Sequence, residues 1–366
     1  MHKTAAWPLA LLYSALIVYA SLYPFAEWRN QGVHLGAFLL APISPYWTGF
    51  DVAINVLGYG PLGALLTLAL VRSGRPRHAL LLAMLWGVLL SLSMETLQNY
   101  LPSRVPSKED WVLNIAGTWL GTLGALALER WGLLDRWSRI RARWFVPQAR
   151  GGLVLMATWP LALLFPAAVP FGLGQVLGRL EDGLAQQLVD TPFLGWLPLH
   201  HAPLLPLSPG SEVACVFLGI LIPCLLSFCI ARGSLHRVSL ALLIVVVGVL
   251  VTALSSALSW GPVHAWAWLG LPAQVGLTAG TLIAVLLAWA PWRFSGALLL
   301  LALGLYVSLL NQAPESPYFA QTLQTWEQGR FIRFHGLAQW LGWLWPYACL
   351  LYVLTQIGRK DAHLTN

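Results

Sequence analysis

Apolar runs about as long as a bilayer core is thick recur from one end of the chain to the other, separated by short polar or proline-bearing segments. A helix rises 1.5 Å per residue, so about 20 apolar residues cross a hydrocarbon core of roughly 30 Å. On that measure the pattern predicts ten spans, at residues 7–25, 51–71, 78–98, 111–128, 152–171, 212–231, 236–258, 272–290, 294–310 and 337–355. Helices are expected throughout, because a helix makes its backbone hydrogen bonds internally and asks none of the lipid. The expected fold class is an all-α polytopic membrane protein with both termini in the cytoplasm.

Two further stretches have helical periodicity of another kind. Between Glu129 and Phe145, Leu133, Trp137, Ile140 and Trp144 form an apolar stripe opposite Arg136, Arg139 and Arg143. This pattern predicts a helix lying on the cytoplasmic leaflet, drawn there by anionic lipid. Leu173, Leu177, Leu180, Leu184 and Leu188 predict a second surface helix, followed by the proline-rich residues 192–209 with His200 and His201. The expected organisation is a four-helix membrane domain at 1–130, a basic interfacial linker at 131–151 and a six-helix membrane domain at 152–366. Outer loops are expected at 172–211 and 311–336.

Composition strengthens the membrane reading, with 58% of the 366 residues hydrophobic and only 10% charged. A soluble domain carries roughly a quarter charged residues. The net charge of +7 would suit nucleic acid, but the placement of the basic residues argues for a membrane. Lys3, Arg72, Arg75, Arg77, Arg130, Arg136, Arg139, Arg141, Arg143, Arg150, Arg232, Arg237, Arg293, Arg359 and Lys360 fall on one side of the predicted spans. These are 15 of the 21, leaving 6 on the other: Arg29, Arg104, Lys108, Arg179, Arg330 and Arg333. The positive-inside rule makes the richer side cytoplasmic. Many of the 20 Trp sit near span ends, as Trp7, Trp47, Trp111, Trp159 and Trp292 do, where amphipathic rings favour the headgroup region. Cys215, Cys224, Cys229 and Cys349 lie inside apolar runs without metal-ligand spacing, so they read as buried thiols, and no metal or cofactor is expected.

The polar residues of the first four spans gather at one end. Asp51 and Asn55 open the second span four residues apart, Glu95 and Gln98 close the third, and Asp110 and Asn114 open the fourth. Each pair shares one helix face. The intervening loop supplies Arg104, Ser107 and Lys108. Asp51-x3-Asn55-x2-Gly58 returns 59 residues later as Asp110-x3-Asn114-x2-Gly117, which reads as a parallel repeat. A carboxylate one turn inside a span costs a few kcal/mol unless paired, protonated or facing water. Glu95 is therefore the most informative residue, and Arg104 is its expected partner through two hydrogen bonds. Capping by Asp51 and Asp110 and close packing at Gly58, Gly117 and Gly121 is the purely architectural reading of the same residues. Asn311, Gln312, Glu315, Arg330, Arg333 and His335 form a second polar group beside the last outer loop, with Arg333 and His335 the leading candidates there.

Glu95-Thr-Leu-Gln98, then Arg104, Ser107 and Asp110-x3-Asn114-x2-Gly117-x3-Gly121, together with Asp51-x3-Asn55 and Tyr23-Pro24-Phe25, resemble the VanZ-like membrane domain. The resemblance covers about residues 7–130, and residues 131–366 extend beyond it. It implies a context of low-level resistance to the glycopeptide teicoplanin, in a family most of whose members have no established biochemical activity. The expected function is a non-catalytic envelope protein of the bacterial inner membrane. Its expected partners are membrane lipids, a lipid-linked cell-wall precursor at the outer leaflet or an envelope protein, and not nucleic acid. The alternative is a membrane enzyme or carrier for a lipid-linked substrate, with Glu95 or Asp110 as base and Arg104 clamping an anion. Against it, the chain has no nucleotide-binding glycine loop and no nucleophile motif. An ion-coupled transporter would need polar residues near mid-span, and most spans lack them.

Overall fold

The computed structural model describes residues 6–23, 25, 27–34, 36–42, 49–196, 206–314 and 337–361. Among these the chain is all-α, with thirteen α-helices, and one isolated bridge between Phe145 and Ala231 is its only β pairing. It divides into two compact units, Met1–Ile140 and Arg141–Asn366.

The first unit contains α1 (Ala6–Leu22), the short α2 (Ala37–Leu40), α3 (Gly49–Arg72), α4 (Pro76–Gln98) and α5 (Lys108–Arg130). Its tightest pairing is between α3 and α5. A Cβ on Gly121 would stand 1.8 Å from the carbonyl oxygen of Gly60, and one on Gly117 would stand 2.4 Å from that of Val56. From the other side, a Cβ on Gly63 would stand 2.1 Å from the Thr118 carbonyl. The Val56–Gly117 and Gly60–Gly121 contacts advance together along both helices, so the two run parallel, backbone against backbone, as small residues permit between membrane helices. Gly58 is a correction to the sequence reading, since a Cβ there would meet nothing within 4 Å. Two residues turn a helix by about 200°, so the face that meets α5 includes Gly60 and Gly63 while Gly58 points elsewhere. The Gly58 carbonyl instead accepts the Tyr13 hydroxyl of α1 at 2.9 Å. Gly87 of α4 lies against the Thr118 side chain, which brings α4 onto the same pair.

The amphipathic helix α6 (Leu133–Trp144) buries none of its residues, and the break between the units falls within it. Its Leu133, Trp137 and Ile140 are exposed. The second unit is built around α9 (Pro209–Ile230), with 78% of its apolar window buried. Around it stand α7 (Arg150–Leu163), α10 (Ser234–Trp260), α11 (Leu271–Leu287) and α12 (Trp292–Leu310), and α7 in turn carries α13 (Leu337–Asp361). Gly276 and Gly280 let α11 approach the α9 backbone at Val213 and Phe217.

Eight of the ten expected spans fall on apolar helices, and one of the ten is corrected. Among the described residues six helices, α3, α4, α5, α9, α10 and α12, are long and apolar enough to cross a membrane, whereas α1 and α11 have 17 residues each. The fifth expected span, 152–171, is not one helix: α7 ends at Leu163, and Leu164–Val176 runs on without regular structure. Pro166 and Pro170 explain this, because proline lacks the amide a helix needs and restricts the residue before it. The irregular stretch is nonetheless buried, at Phe165, Val169, Phe171, Leu173 and Val176. Its backbone is paired from neighbouring helices. The Tyr306 hydroxyl donates to the Phe171 carbonyl and accepts from the Leu173 amide, both at 2.5 Å. Gly174 donates to the Gly342 carbonyl at 2.8 Å, and Asn311 Oδ1 accepts from Val176 and Leu177 at 3.1 and 3.0 Å. The surface helix expected from Leu173 therefore begins later, as α8 (Leu177–Leu188), with Leu177, Leu180 and Leu184 exposed.

Gly121→Ala should force α3 and α5 apart and destabilise the first unit by about 1–3 kcal/mol, the usual range for overpacking. Gly58→Ala should be neutral or stabilising by up to about 1 kcal/mol, the helix propensity of alanine over glycine. Thermal melting of both variants in detergent checks this, and equal melting temperatures would contradict the α3–α5 packing.

Candidate functional site

The site is assembled where α1 and α4 end and α3 and α5 begin. Ser107 is the N-cap of α5, with extended backbone (φ −139°, ψ 135°), and its Oγ accepts from the Asp110 amide at 3.2 Å. Asp110 stands three residues after the cap, where a capping-box side chain would normally turn back to the cap's own amide. Here that amide is already taken, because Ser107 N–H donates to Glu95 Oε2 at 2.9 Å. Asp110 is thereby directed sideways to α3, and its Oδ1 accepts from Asn55 Nδ2 at 2.8 Å. The Ser107 hydroxyl also donates to Glu109 Oε2 at 2.8 Å.

Glu95 itself is buried, with only 3% of its surface exposed, which locates the carboxylate inside the packed helix ends rather than in the loop. Four residues earlier on the same face, Ser91 Oγ accepts from Asn114 Nδ2 at 3.0 Å, joining α4 to α5. Both Ser91 and Asn114 are buried, and Asn114 Oδ1 has no hydrogen-bond partner. At the far end of the same α4 face, Gln98 Nε2 donates to the Ser21 carbonyl of α1 at 3.0 Å.

Arg104 departs from the sequence expectation of a pairing with Glu95. Its Nη2 donates to the carbonyls of Ala20 at 3.1 Å and Tyr23 at 2.9 Å, and its Nε to that of Tyr23 at 3.3 Å. The last carbonyls of a helix have no partners within it and carry the negative end of its dipole, so a guanidinium there is both a cap and a charge complement. Lys108 Nζ donates to the Ala41 carbonyl just after α2. The segment after α1 is held to the same loop, with Arg29 donating its amide to Tyr100 O at 3.0 Å and Gln31 Nε2 donating to Asn99 O at 2.8 Å.

Of the candidates read from the sequence, Asn55, Glu95, Ser107 and Asp110 thus lie in one hydrogen-bonded network across α3, α4 and α5, Asn114 ties α5 to α4 through Ser91 beside it, and Gln98 and Arg104 fasten α1 to the same helix ends. Asp51 is the third residue of α3, and its side chain lies outside the described residues, as do Arg333, His335, Glu315, Arg330, His200 and His201. Asn311, read as a member of a second polar group, serves the backbone of 174–177 instead. The sequence reading overlooked Ser91, although its place four residues before Glu95 marks it as part of the same face. It also overlooked Gln31, for which no local pattern exists. Among the described residues no group of three or more His, Cys, Asp or Glu converges as a metal site would need.

Residues 7–129 match the family model VanZ/LLP1, so the first unit carries a VanZ-like domain and the rest of the chain extends beyond it. No curated protein and no solved structure matches the chain significantly.

The network assigns Glu95 the role of acceptor for a loop amide, and its substitutions should sort accordingly. Glu95→Gln keeps an acceptor oxygen and should melt near wild type. Glu95→Leu strands the Ser107 amide and should cost about 1–3 kcal/mol, with faster hydrogen exchange across 99–107. A Glu95→Leu protein as stable and as protected as wild type would refute the role.

Proposed function

We propose that the VanZ-like domain is a non-catalytic binding module for an anionic, phosphate-bearing headgroup at the extracytoplasmic surface of a bacterial inner membrane. The headgroup belongs to a lipid or a lipid-linked cell-wall precursor. One observation carries this reading over the enzymatic one: the two carboxylates best placed to act as bases are engaged by protein groups, Glu95 by the Ser107 amide and Asp110 by the Asn55 amide. Their hydrogen bonds organise the loop between α4 and α5, and what that loop brings to the helix ends is cationic, Arg104 and Lys108. Both serve backbone carbonyls, Arg104 those of Ala20 and Tyr23 and Lys108 that of Ala41, and both remain partly exposed. A guanidinium and an ammonium are the side chains suited to phosphate, one as a fork of donors and the other as a point charge.

The basic-residue asymmetry supports the orientation, since the 99–108 loop lies on the side poor in Lys and Arg. Occupation of a precursor headgroup there would change how a glycopeptide reaches its target, which links the site to the teicoplanin context that the domain's motifs imply.

Phosphatidylglycerol added to the purified full chain should raise its melting temperature, whereas phosphatidylcholine should not, and the shift should shrink at high salt. Arg104→Gln with Lys108→Gln should abolish that lipid-dependent shift, whatever it does to the basal value through the lost α1 cap. In a glycopeptide-susceptible bacterium, the wild-type gene should change teicoplanin sensitivity and the double variant should not. A double variant that keeps the full lipid shift would overturn the headgroup reading.

A further inference from the structure

The second unit contains a cleft of about 440 Å3, lined by Leu163 at the end of α7, the irregular residues 165–173, the end of α10, the turn before α11 and the first turn of α9. Its size falls within the roughly 300–1,000 Å3 typical of small-molecule pockets. The end of α10 that lines it carries a ladder of hydroxyls, Thr252, Ser255, Ser256 and Ser259, at spacings that put them along one side of the helix. Two are already used: Ser255 donates to the Leu164 carbonyl at 3.0 Å and Ser256 to the His264 carbonyl at 2.7 Å. The other two are not. Thr252 and Ser259 are 8% and 5% exposed, and their hydroxyl oxygens have no hydrogen-bond partner, nor has the buried indole nitrogen of Trp268. Three buried polar atoms without a partner, on residues that line one cleft, are costly, because each has lost water and gained nothing.

The chemistry of the lining narrows what would satisfy them. Among the described residues that line the cleft, Glu212 is the one ionisable residue, with no Lys, Arg or His beside it. An anion would meet a carboxylate and no cation. A simple ammonium would suit Glu212 but offers only donors, and the Trp268 N–H, itself only a donor, needs an acceptor. A neutral ligand carrying several hydroxyl groups meets every requirement once these side chains turn towards the cleft: its oxygens accept from Trp268, and its O–H groups donate to Glu212 and exchange hydrogen bonds with Thr252 and Ser259. Aromatic faces in the same lining, Trp268 set edge-on to Phe171 at 5.7 Å between ring centres, suit the apolar face of a sugar ring.

We propose that this cleft binds a neutral, hydroxyl-rich ligand of the carbohydrate class, at the end of α10 remote from Arg232 and Arg237 and hence on the extracytoplasmic side. The site belongs to the second unit alone and stands independently of the headgroup reading for the first.

The test uses the full chain in a zwitterionic, sugar-free detergent. Calorimetric titration with methyl β-glucoside, N-acetylglucosamine and maltose should show saturable binding of at least one. Choline chloride and sodium phosphate should not bind. Thr252→Val with Ser259→Ala should weaken the sugar about tenfold or more, since two hydrogen bonds are lost. Trp268→Phe, which keeps the aromatic face, should weaken it as well. Without ligand the double variant should melt no lower than wild type, because neither hydroxyl has a partner in the protein to lose. The proposal is overturned if no sugar binds, if only choline does, or if the double variant binds as wild type does. It is also overturned if the unliganded double variant melts lower, which would make the hydroxyls structural. Sugars also stabilise proteins by exclusion from their surface, so a melting shift equal in wild type and variant counts as no binding.

Discussion

A backbone amide or carbonyl inside a bilayer has no water to turn to, and leaving one unpaired costs several kcal/mol. That single constraint governs both units. Along the helices it is met automatically, and it becomes a problem wherever a helix ends or breaks. In the first unit the ends of α1, α4 and α5 meet, and the side chains of the polar cluster serve the exposed backbone: Arg104 and Gln98 take the carbonyls of Ala20, Ser21 and Tyr23, and Glu95 takes the amide of Ser107. In the second unit the break lies within the bundle, and Tyr306 and Asn311 serve the irregular stretch after α7. The residues that look most like chemistry in the sequence are, in large part, those that make helix termini tolerable in lipid.

This changes how the cluster is understood without emptying it of function. Loop 99–107 is held by Glu95 on one side and by the α1 carbonyls on the other, so Arg104 within it and Lys108 just after it occupy fixed positions. A binding site gains from such fixity, because the cost of ordering the recognising side chains is met during folding rather than on binding. A general base gains less from a carboxylate already engaged by an amide. The same hydrogen bonds that count against catalysis therefore count in favour of recognition.

Much of this was legible in the sequence because it is periodic. The apolar runs announced the helices, the stripes announced α6 and α8, and the four-residue spacings put Asp110 and Asn114 on one face of α5. Where the reading went astray, the cause was a competition that spacing cannot express. Arg104 looked like the partner of Glu95 because opposite charges attract, but the unpaired carbonyls at the end of α1 also need donors, and they lie in another segment. Gly58 looked like a packing residue because it repeats the position of Gly117, yet the helix phase that meets α5 is that of Gly60 and Gly63. The break after Leu163 was foreshadowed by Pro166 and Pro170, but the apolar character of 164–173 disguised it as membrane span. Buried irregular backbone is as apolar in its side chains as a buried helix.

The central claim is that the polar cluster and its loop face the outside of the cell. Val105 sits in that loop with 85% of its surface exposed, and Trp131, beyond the other end of α5, is 73% exposed. Single cysteines at the two positions, in a chain whose native cysteines are replaced, can be challenged in intact cells with a membrane-impermeant maleimide. Val105→Cys should be labelled in intact cells and Trp131→Cys only after permeabilisation. The reverse pattern would turn the cluster to the cytoplasm and contradict the account.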